Sequence, residues 1–391
     1  MARVLLLTAS FGDGHNQAAF AVAEALAQGG DVVKVVDYVE WLHPAVRSFA
    51  KFSLLQGVQK APALYGLFYR SMSRIHPTSS LQRQLNHLGM SHMKRWLAQF
   101  RPDVVASTFP TPTGVLSELR GMQYTSVRSA AIVTDYTAHR QWVQVHTDAY
   151  FVASDSVKQE LLAYGVPEDR IFVTGIPVRS RFGEARVEAL RAMRDELRRR
   201  HGLRSDQPLI LMMGGGAGLF GDMPAWEQVM QDLPAQFVII CGHNDRLQRK
   251  LAGLASERIR VLGYTQNVDE WMAMADLLIT KAGGITVTEA LAMGLPMLLY
   301  RPIPGQEREN ARFVIRAGAA RLAEDVRSAT QILQELVSRP DVLADMRRHA
   351  LAQHVHGGAE RIAAHLRRLA QWAPVQESPQ SRRDRIIPRF S

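Results

Sequence analysis

The amino-acid sequence predicts an α/β protein of two domains, each a parallel sheet covered by helices on both faces, meeting across a cleft. Three features of the chain point to it. Short apolar runs alternate with amphipathic stretches along most of the 391 residues. The alternation runs through twice, interrupted near Gly175–Arg181 by Gly175 and Pro177. The length suits two domains of ordinary size better than one.

In the first half, Val4–Thr8, Val32–Asp37, Val104–Ser107, Ala130–Thr134 and Ala149–Ala153 read as short buried strands. Asn16–Ala27 and Ser154–Tyr164 carry helical spacing between them. In the second half the strands are Leu209–Met213, Phe237–Cys241, Ile259–Leu262, Leu277–Thr280 and Pro296–Tyr300, with Asn244–Leu254 and Thr286–Met293 helical. A charged helix over about Glu184–Arg200 leads into this half, and the chain reads as helical from Pro340 to about Trp372. The expected division is a first domain over 1–178, a second over 179–340, and terminal helices over 341–372. A return of those helices to the first domain is left open. A basic flexible tail fills 373–391.

Hydrophobic residues are 47% of the chain and charged residues 21%, which suits packed cores and excludes a disordered chain. The single cysteine, Cys241, excludes a disulfide framework and a Cys-rich metal site. No apolar run approaches the ~18 residues of a spanning helix. The start, Met1 to Leu7, is too short and too soon polar for a signal peptide. A cytoplasmic location is therefore expected.

The net charge of +10 asks for an anionic partner, and it is local. Between Glu40 and Asp103 lie 62 residues with nine Lys or Arg and no carboxylate. The tail adds four arginines against two acids, leaving the rest near neutral. In the basic block (41–102) Arg47, Lys51, Arg70 and Arg74 interleave with Phe52, Phe68 and Tyr69, and Phe49, Phe52 and Leu55 have helical spacing. Basic amphipathic helices lie on anionic bilayers, so these seven interleaved residues are the expected membrane contacts. The plain alternative is a helical insertion with solvated cations. No RNA-recognition motif is present, and no nucleic-acid partner is expected.

Ligands of open α/β sheets bind beyond the carboxyl ends of strands, and three such loops stand out. Ser10–His15 follows the first strand and opens the first helix. Gly12 and Gly14 let the backbone turn and approach an acceptor, and a helix start favours anionic groups. A dinucleotide fingerprint would need glycine where Gln17 stands, so Asp37, which mimics an acidic ribose ligand, does not rescue a dehydrogenase reading. His15 is placed to act as a general base toward a hydroxyl; a structural histidine is the ordinary alternative.

The second loop holds Asp135, His139, Trp142 and His146, a set that suits an acceptor pocket. Asp135 assists a base or merely caps a segment. His139 and His146 lack metal-ligand spacing and supporting ligands. The third loop runs from Lys281 to Asn310. Amides at Gly283, Gly284, Ile285 and Thr286 suit a diphosphate at a helix start, and Glu289 can accept from ribose hydroxyls. Gln306, Glu307 and Asn310 suit hexose hydroxyls, and Gly216 in the turn Gly214–Gly218 offers further amides. There is no Asp-x-Asp, so no metal and no cofactor is expected; helix amides serve instead. A nucleotide-sugar site thus faces a hydroxyl-activating site.

The segments SFGDGHNQAA, VTDYTAHRQWV, DAYFVAS, VTGIPV and TKAGGITVTEALAMGLPMLLYRPIPGQERENA occur in that order. On them the chain resembles, from about residue 3 to 370, the monogalactosyldiacylglycerol synthase and processive diacylglycerol glucosyltransferase family. These are GT-B glycosyltransferases, more distantly similar to the MurG lipid-II enzyme. The resemblance implies two Rossmann-like domains and inverting transfer of glucose or galactose from a UDP-sugar to diacylglycerol at the cytosolic membrane face. It makes His15 the acceptor-side catalytic residue with Asp135 in support. It gives Gly283–Thr286 the UDP diphosphate, Glu289 the ribose, and Gln306, Glu307 and Asn310 the sugar.

The basic block falls where the family keeps its membrane-associating acceptor region. Ala282 stands where bacterial glucosyl members often have proline, while the Pro-Gly-Gln-Glu form leans toward that glucosyl branch. The expected partners are a UDP-hexose, diacylglycerol and an anionic membrane surface, with the protein peripheral on the inner face of the cell membrane. A polyprenyl-linked or other lipid acceptor is the enzymatic alternative. A non-catalytic binder of anionic lipid or RNA is the other, though a pure binder needs no paired diphosphate and diol reader.

Overall fold

The computed structural model describes residues 1–10, 12–41, 80–214 and 223–371, with side chains in the third span from residue 89. The seven expected membrane contacts, Phe11, Gly216 and the tail from residue 372 lie outside the described residues.

The first sheet comprises β1 (Arg3–Thr8), β2 (Val32–Asp37), β3 (Val104–Ser107), β4 (Arg128–Ile132), β5 (Ala149–Val152) and β6 (Ile171–Val173), ordered β2-β1-β3-β4-β5-β6. Its pairs are parallel, with Val4 opposite Val33 and Val104. Its helices are α1 (Asp13–Gln28), α2 (Ser80–Phe100), α3 (Pro110–Gly121) and α4 (Asp155–Ala163). Side chains alternate across a strand, and β1 shows the consequence. Val4 and Leu6 pack with Val22 and Leu26 of α1, while Leu5 and Leu7 pack with Met93 of α2 and Leu116 of α3. Each such leucine contributes about 1.5–3 kcal/mol by leaving water.

Helices α5 (Glu184–Ala192) and α6 (Arg194–Arg200) lead into the second sheet. That sheet has β7 (Leu209–Met213), β8 (Gln236–Ile240), β9 (Ile259–Leu262), β10 (Leu277–Thr280), β11 (Met297–Tyr300) and β12 (Ala320–Ala323), ordered β12-β11-β10-β7-β8-β9. All its pairs are parallel. Between strands run α7 (Met223–Asp232), α8 (Asp245–Leu251), α9 (Val268–Met274), α10 (Gly284–Ala292) and α11 (Gln306–Arg316). Then follow α12 (Val326–Ser338), α13 (Pro340–Gln353) and α14 (Gly358–Gln371). Chain direction across the sheet reverses between β1 and β3 in the first domain and between β7 and β10 in the second. A crevice opens beyond the strands at each reversal.

Several boundaries differ from expectation. β4 stops at Ile132, so Val133–Asp135 is loop, and β6 and β12 are additional strands. Both are short edge strands, too brief for periodicity to register. The charged helix breaks at Met193 into α5 and α6. The terminal helical stretch breaks between α13 and α14, where Gly357 takes φ +67°. Helix α14 packs Ile362, Ala363 and Leu366 onto the first sheet beside Val4 and Leu26. There Arg367 pairs with Asp31 at 2.6 Å and donates to the Ala25 carbonyl at 3.1 Å, a cation at the C-terminal end of α1.

Candidate active site

The N-terminus of α1 is the first half of the site. Gly12 precedes the helix in extended backbone with open space around it, and Asp13 opens the first turn. Asp37 accepts from the Ser10 amide at 3.1 Å and the Val39 amide at 2.9 Å. It serves as a loop brace.

His15 faces the loop after β4. Its Nδ1 lies 3.0 Å from Thr134 Oγ1, its carbonyl accepts from Thr108 Oγ1 at 3.1 Å, and Phe109 meets its ring edge-on at 5.2 Å. Burial holds His15 below its ordinary pKa, while the nearby Asp135 carboxylate pulls the other way. Asp135 is lifted above the usual carboxylate range by burial, opposed by a hydrogen bond from Asn310 and by His15. Burial and the charge of His15 push His139 down to about 4, so it is neutral around pH 7. An uncharged imidazole beside a carboxylate is the form a general base requires.

Trp142 departs from expectation. It is 1% exposed and packs in the core cluster that holds Tyr150, so its ring belongs to the core. His146 lies beside Gly121, its Nε2 3.1 Å from where a Cβ would stand.

The second half is the N-terminus of α10, which follows β10 at the other reversal. The first amides of a helix have no intrahelical acceptor, so those of Gly284, Ile285 and Thr286 are suited to an anion. A Cβ on Gly284 would stand 2.1 Å from the Thr134 carbonyl oxygen, so only glycine allows this approach. The Ile285 side chain is buried, its Cγ1 3.5 Å from where a Cβ on Gly14 would be. Any part it takes in donor binding falls to its amide. The two helix N-termini therefore abut.

Glu289, one turn along α10, is pushed up to about 8 by burial, with Arg181 opposing and Asp269 reinforcing the shift. Arg181 comes from the inter-domain segment, where sequence spacing gave no cue to it. Glu307 accepts from the Ile303 amide at 2.8 Å, and burial raises it against the pull of Lys281. One of its oxygens thus holds its own loop. Gly305, just before α11, has φ 111°, a conformation essentially restricted to glycine, and it sets the start of the helix that carries Gln306 and Glu307.

Asn310 also differs from expectation. It is 0% exposed, donates to Asp135 Oδ1 at 2.8 Å and the Ala282 carbonyl at 2.9 Å, and accepts from the Tyr136 amide at 2.8 Å. Its amide is engaged by protein groups instead of pointing at a ligand hydroxyl. Tyr136 continues the contact: its hydroxyl lies 3.0 Å from Thr288 Oγ1 and its ring stacks on Phe313 at 4.2 Å. Two further residues escaped the sequence reading. After β8 and β9, His243 and the exposed Tyr264 stack at 4.2 Å with 14° between planes. An aromatic residue just past a strand end was the available signal.

Residues 15–178 match the family model for monogalactosyldiacylglycerol (MGDG) synthase, and residues 210–362 match that for the glycosyltransferase family 28 C-terminal domain. The processive diacylglycerol beta-glucosyltransferases of Bacillus cereus and Bacillus anthracis are each 34% identical over 329 residues, 83% of this chain and 82% of theirs. MurG of Acinetobacter baumannii is similar with TM-score 0.60 at 18% identity, over 93% of this chain and 99% of its own. The S. aureus MnaA–UDP co-structure gives TM-score 0.62 at 16% identity, over 94% and 96%. These two likenesses concern the fold alone. The Bacillus proteins, similar over most of both chains, decide the assignment: the chain belongs to the monogalactosyldiacylglycerol synthase and processive diacylglycerol glucosyltransferase family.

Proposed function

We propose that the protein transfers a hexosyl group from a UDP-sugar to the free hydroxyl of diacylglycerol, with inversion at the anomeric carbon. The observation that carries the reading is the meeting of two helix N-termini, one bearing His15 and the other the amides of Gly284–Thr286. The acceptor oxygen attacks the anomeric carbon as its proton passes to Nε2 of His15. The bond from that carbon to the β-phosphate oxygen breaks, and its electron pair leaves with UDP. In this step Nδ1 carries the hydrogen that Thr134 Oγ1 accepts, and Asp135 balances the imidazolium. Charge developing on the diphosphate meets the α10 amides, so the reading calls on no metal or other cofactor.

Glu289 accepts from the ribose hydroxyls, and Tyr264 stacked on His243 offers a flat face to the uracil. Gln306 and Glu307 stand at the hexose, while Gly12, Gly14 and His139 border the acceptor. The names of the relatives favour diacylglycerol as acceptor and glucose over galactose as donor sugar. Among the described residues no helix is long and apolar enough to cross a membrane. In this reading the basic block, Arg70 and Arg74 included, brings the enzyme to an anionic bilayer at its cytosolic face.

The test is UDP release on vesicles with and without diacylglycerol. Release from UDP-glucose that needs diacylglycerol and exceeds release from UDP-galactose is expected. No UDP release from either sugar would overturn the reading.

A further inference from the structure

One buried side chain ties the turn before α10 to the loop after β4. Asn310 stands four residues into α11, whose first residues border the hexose. Its nitrogen reaches back to the carbonyl of Ala282, just before the diphosphate turn, and across the cleft to Asp135. Its oxygen takes the Tyr136 amide at 2.8 Å. The hydrogen bond from Asn310 favours the ionised form of the Asp135 carboxylate against its burial. A buried carboxylate without a donor takes up a proton. A group that favours the charged form of Asp135 beside His15 therefore comes from the opposite domain.

We propose that Asn310 is a positioning residue that makes the His15–Asp135 pair competent only when the donor domain is closed against the acceptor loop. The inference rests on the reading of His15 as the base. With Tyr136 docked between Thr288 and Phe313 and Gly284 against Thr134, the amide meets Asp135. Opening the cleft removes it. Base strength is thereby linked to docking of the diphosphate turn, which limits proton abstraction when no donor is held.

The sign of the effect follows from the shared proton. His15 and Asp135 interact closely, so the first proton taken up belongs to the pair. The other titratable groups near them are His139 on the acceptor loop, and Glu307 and Lys281 on the donor side. Without Asn310 the first proton is bound more readily and settles on Asp135. The acid limb of the pH–kcat curve then rises, while His15 itself stays neutral to lower pH.

The experiment is Asn310→Leu, read in two ways. The kcat profile on diacylglycerol vesicles should lose about tenfold or more near pH 6.5, with recovery toward pH 8.5 and less than about a threefold change in the dissociation constant for UDP. Histidine ring signals, followed by NMR without substrate, should show the His15 midpoint moving down. A loss equal at every pH, or an unmoved His15 midpoint, would overturn the inference. If the leucine variant does not fold, Asn310→Ser, which is smaller and cannot reach Asp135, is read in the same way with the same outcomes. Wild type that releases no UDP would instead sink the functional reading, and the histidine titration would still decide the role of Asn310.

Discussion

At His15, burial and a neighbouring charge oppose each other. Burial disfavours the imidazolium and Asp135 favours it, with burial the stronger. His15 is therefore unprotonated in the resting enzyme, ready to accept a proton. Replacing it with alanine removes the proposed proton acceptor and leaves the α10 amides intact. Turnover should fall about 10²–10⁴-fold, with UDP affinity by calorimetry almost unchanged. Unaltered turnover would remove His15 from the mechanism.

Glu289 carries a separate pH signature. Its folded pKa of about 8 lies above the 4.5 of an ordinary glutamate, so burial costs stability as pH rises from about 4.5 to 8. In the proposed site, ribose hydroxyls would donate to the carboxylate and favour its ionised form. UDP binding should therefore release a proton and tighten as pH rises toward 8, and Glu289→Gln should abolish the dependence. A UDP dissociation constant independent of pH in wild type would contradict the role given to Glu289.

Among the elements, α10 approaches the backbone of the loop after β4 closely. Gly284→Ala would set a methyl group 2.1 Å from the Thr134 carbonyl oxygen. That oxygen is backbone and cannot swing aside, so the domains would have to part. A loss of kcat/KM of at least about tenfold is expected, with thermal stability little changed because both sheets keep their cores. Wild-type kinetics in this variant would mean that the approach is not needed in the working state.

Strands buried on both faces were readable because aliphatic runs such as Leu209–Met213 and Leu277–Thr280 have no competing pattern. The edge strands β6 and β12 were not, since three or four residues including Arg321 carry no period. The turns that lead into the helices of His15 and Glu289 were readable because each follows a strand and opens a helix. The buried state of Trp142 and the inter-domain ties of Asn310 were not, because they depend on packing between segments distant in sequence. A polar residue near a glycine-rich turn looks alike whether it meets a ligand or another loop.

For the molecule as a whole, two Rossmann-like sheets bring their reversal points together, and α14 ties the end of the described chain back to the first sheet. The charge of the chain is distributed to match the proposed work. The diphosphate is assigned to amides, so the proposed donor site makes no call on the cations of the basic block. Raising salt from about 0.1 M to 1 M, which shortens the screening length from about 10 Å to 3 Å, should weaken binding to vesicles containing anionic lipid. Neutralising Arg70 and Arg74 together should lower activity on vesicles more than donor affinity. Vesicle binding insensitive to salt would count against this use of the charge.

The central claim is that a base on α1 and amides on α10 act on one bond. Single-turnover transfer of radiolabelled glucose from UDP-glucose to diacylglycerol, in wild type and His15→Ala at saturating donor, tests it most directly. The expected result is β-linked glucosyldiacylglycerol from wild type, and a variant that binds UDP equally well but transfers at least about a hundredfold more slowly. Equal transfer by both proteins, or product of retained configuration, would contradict it.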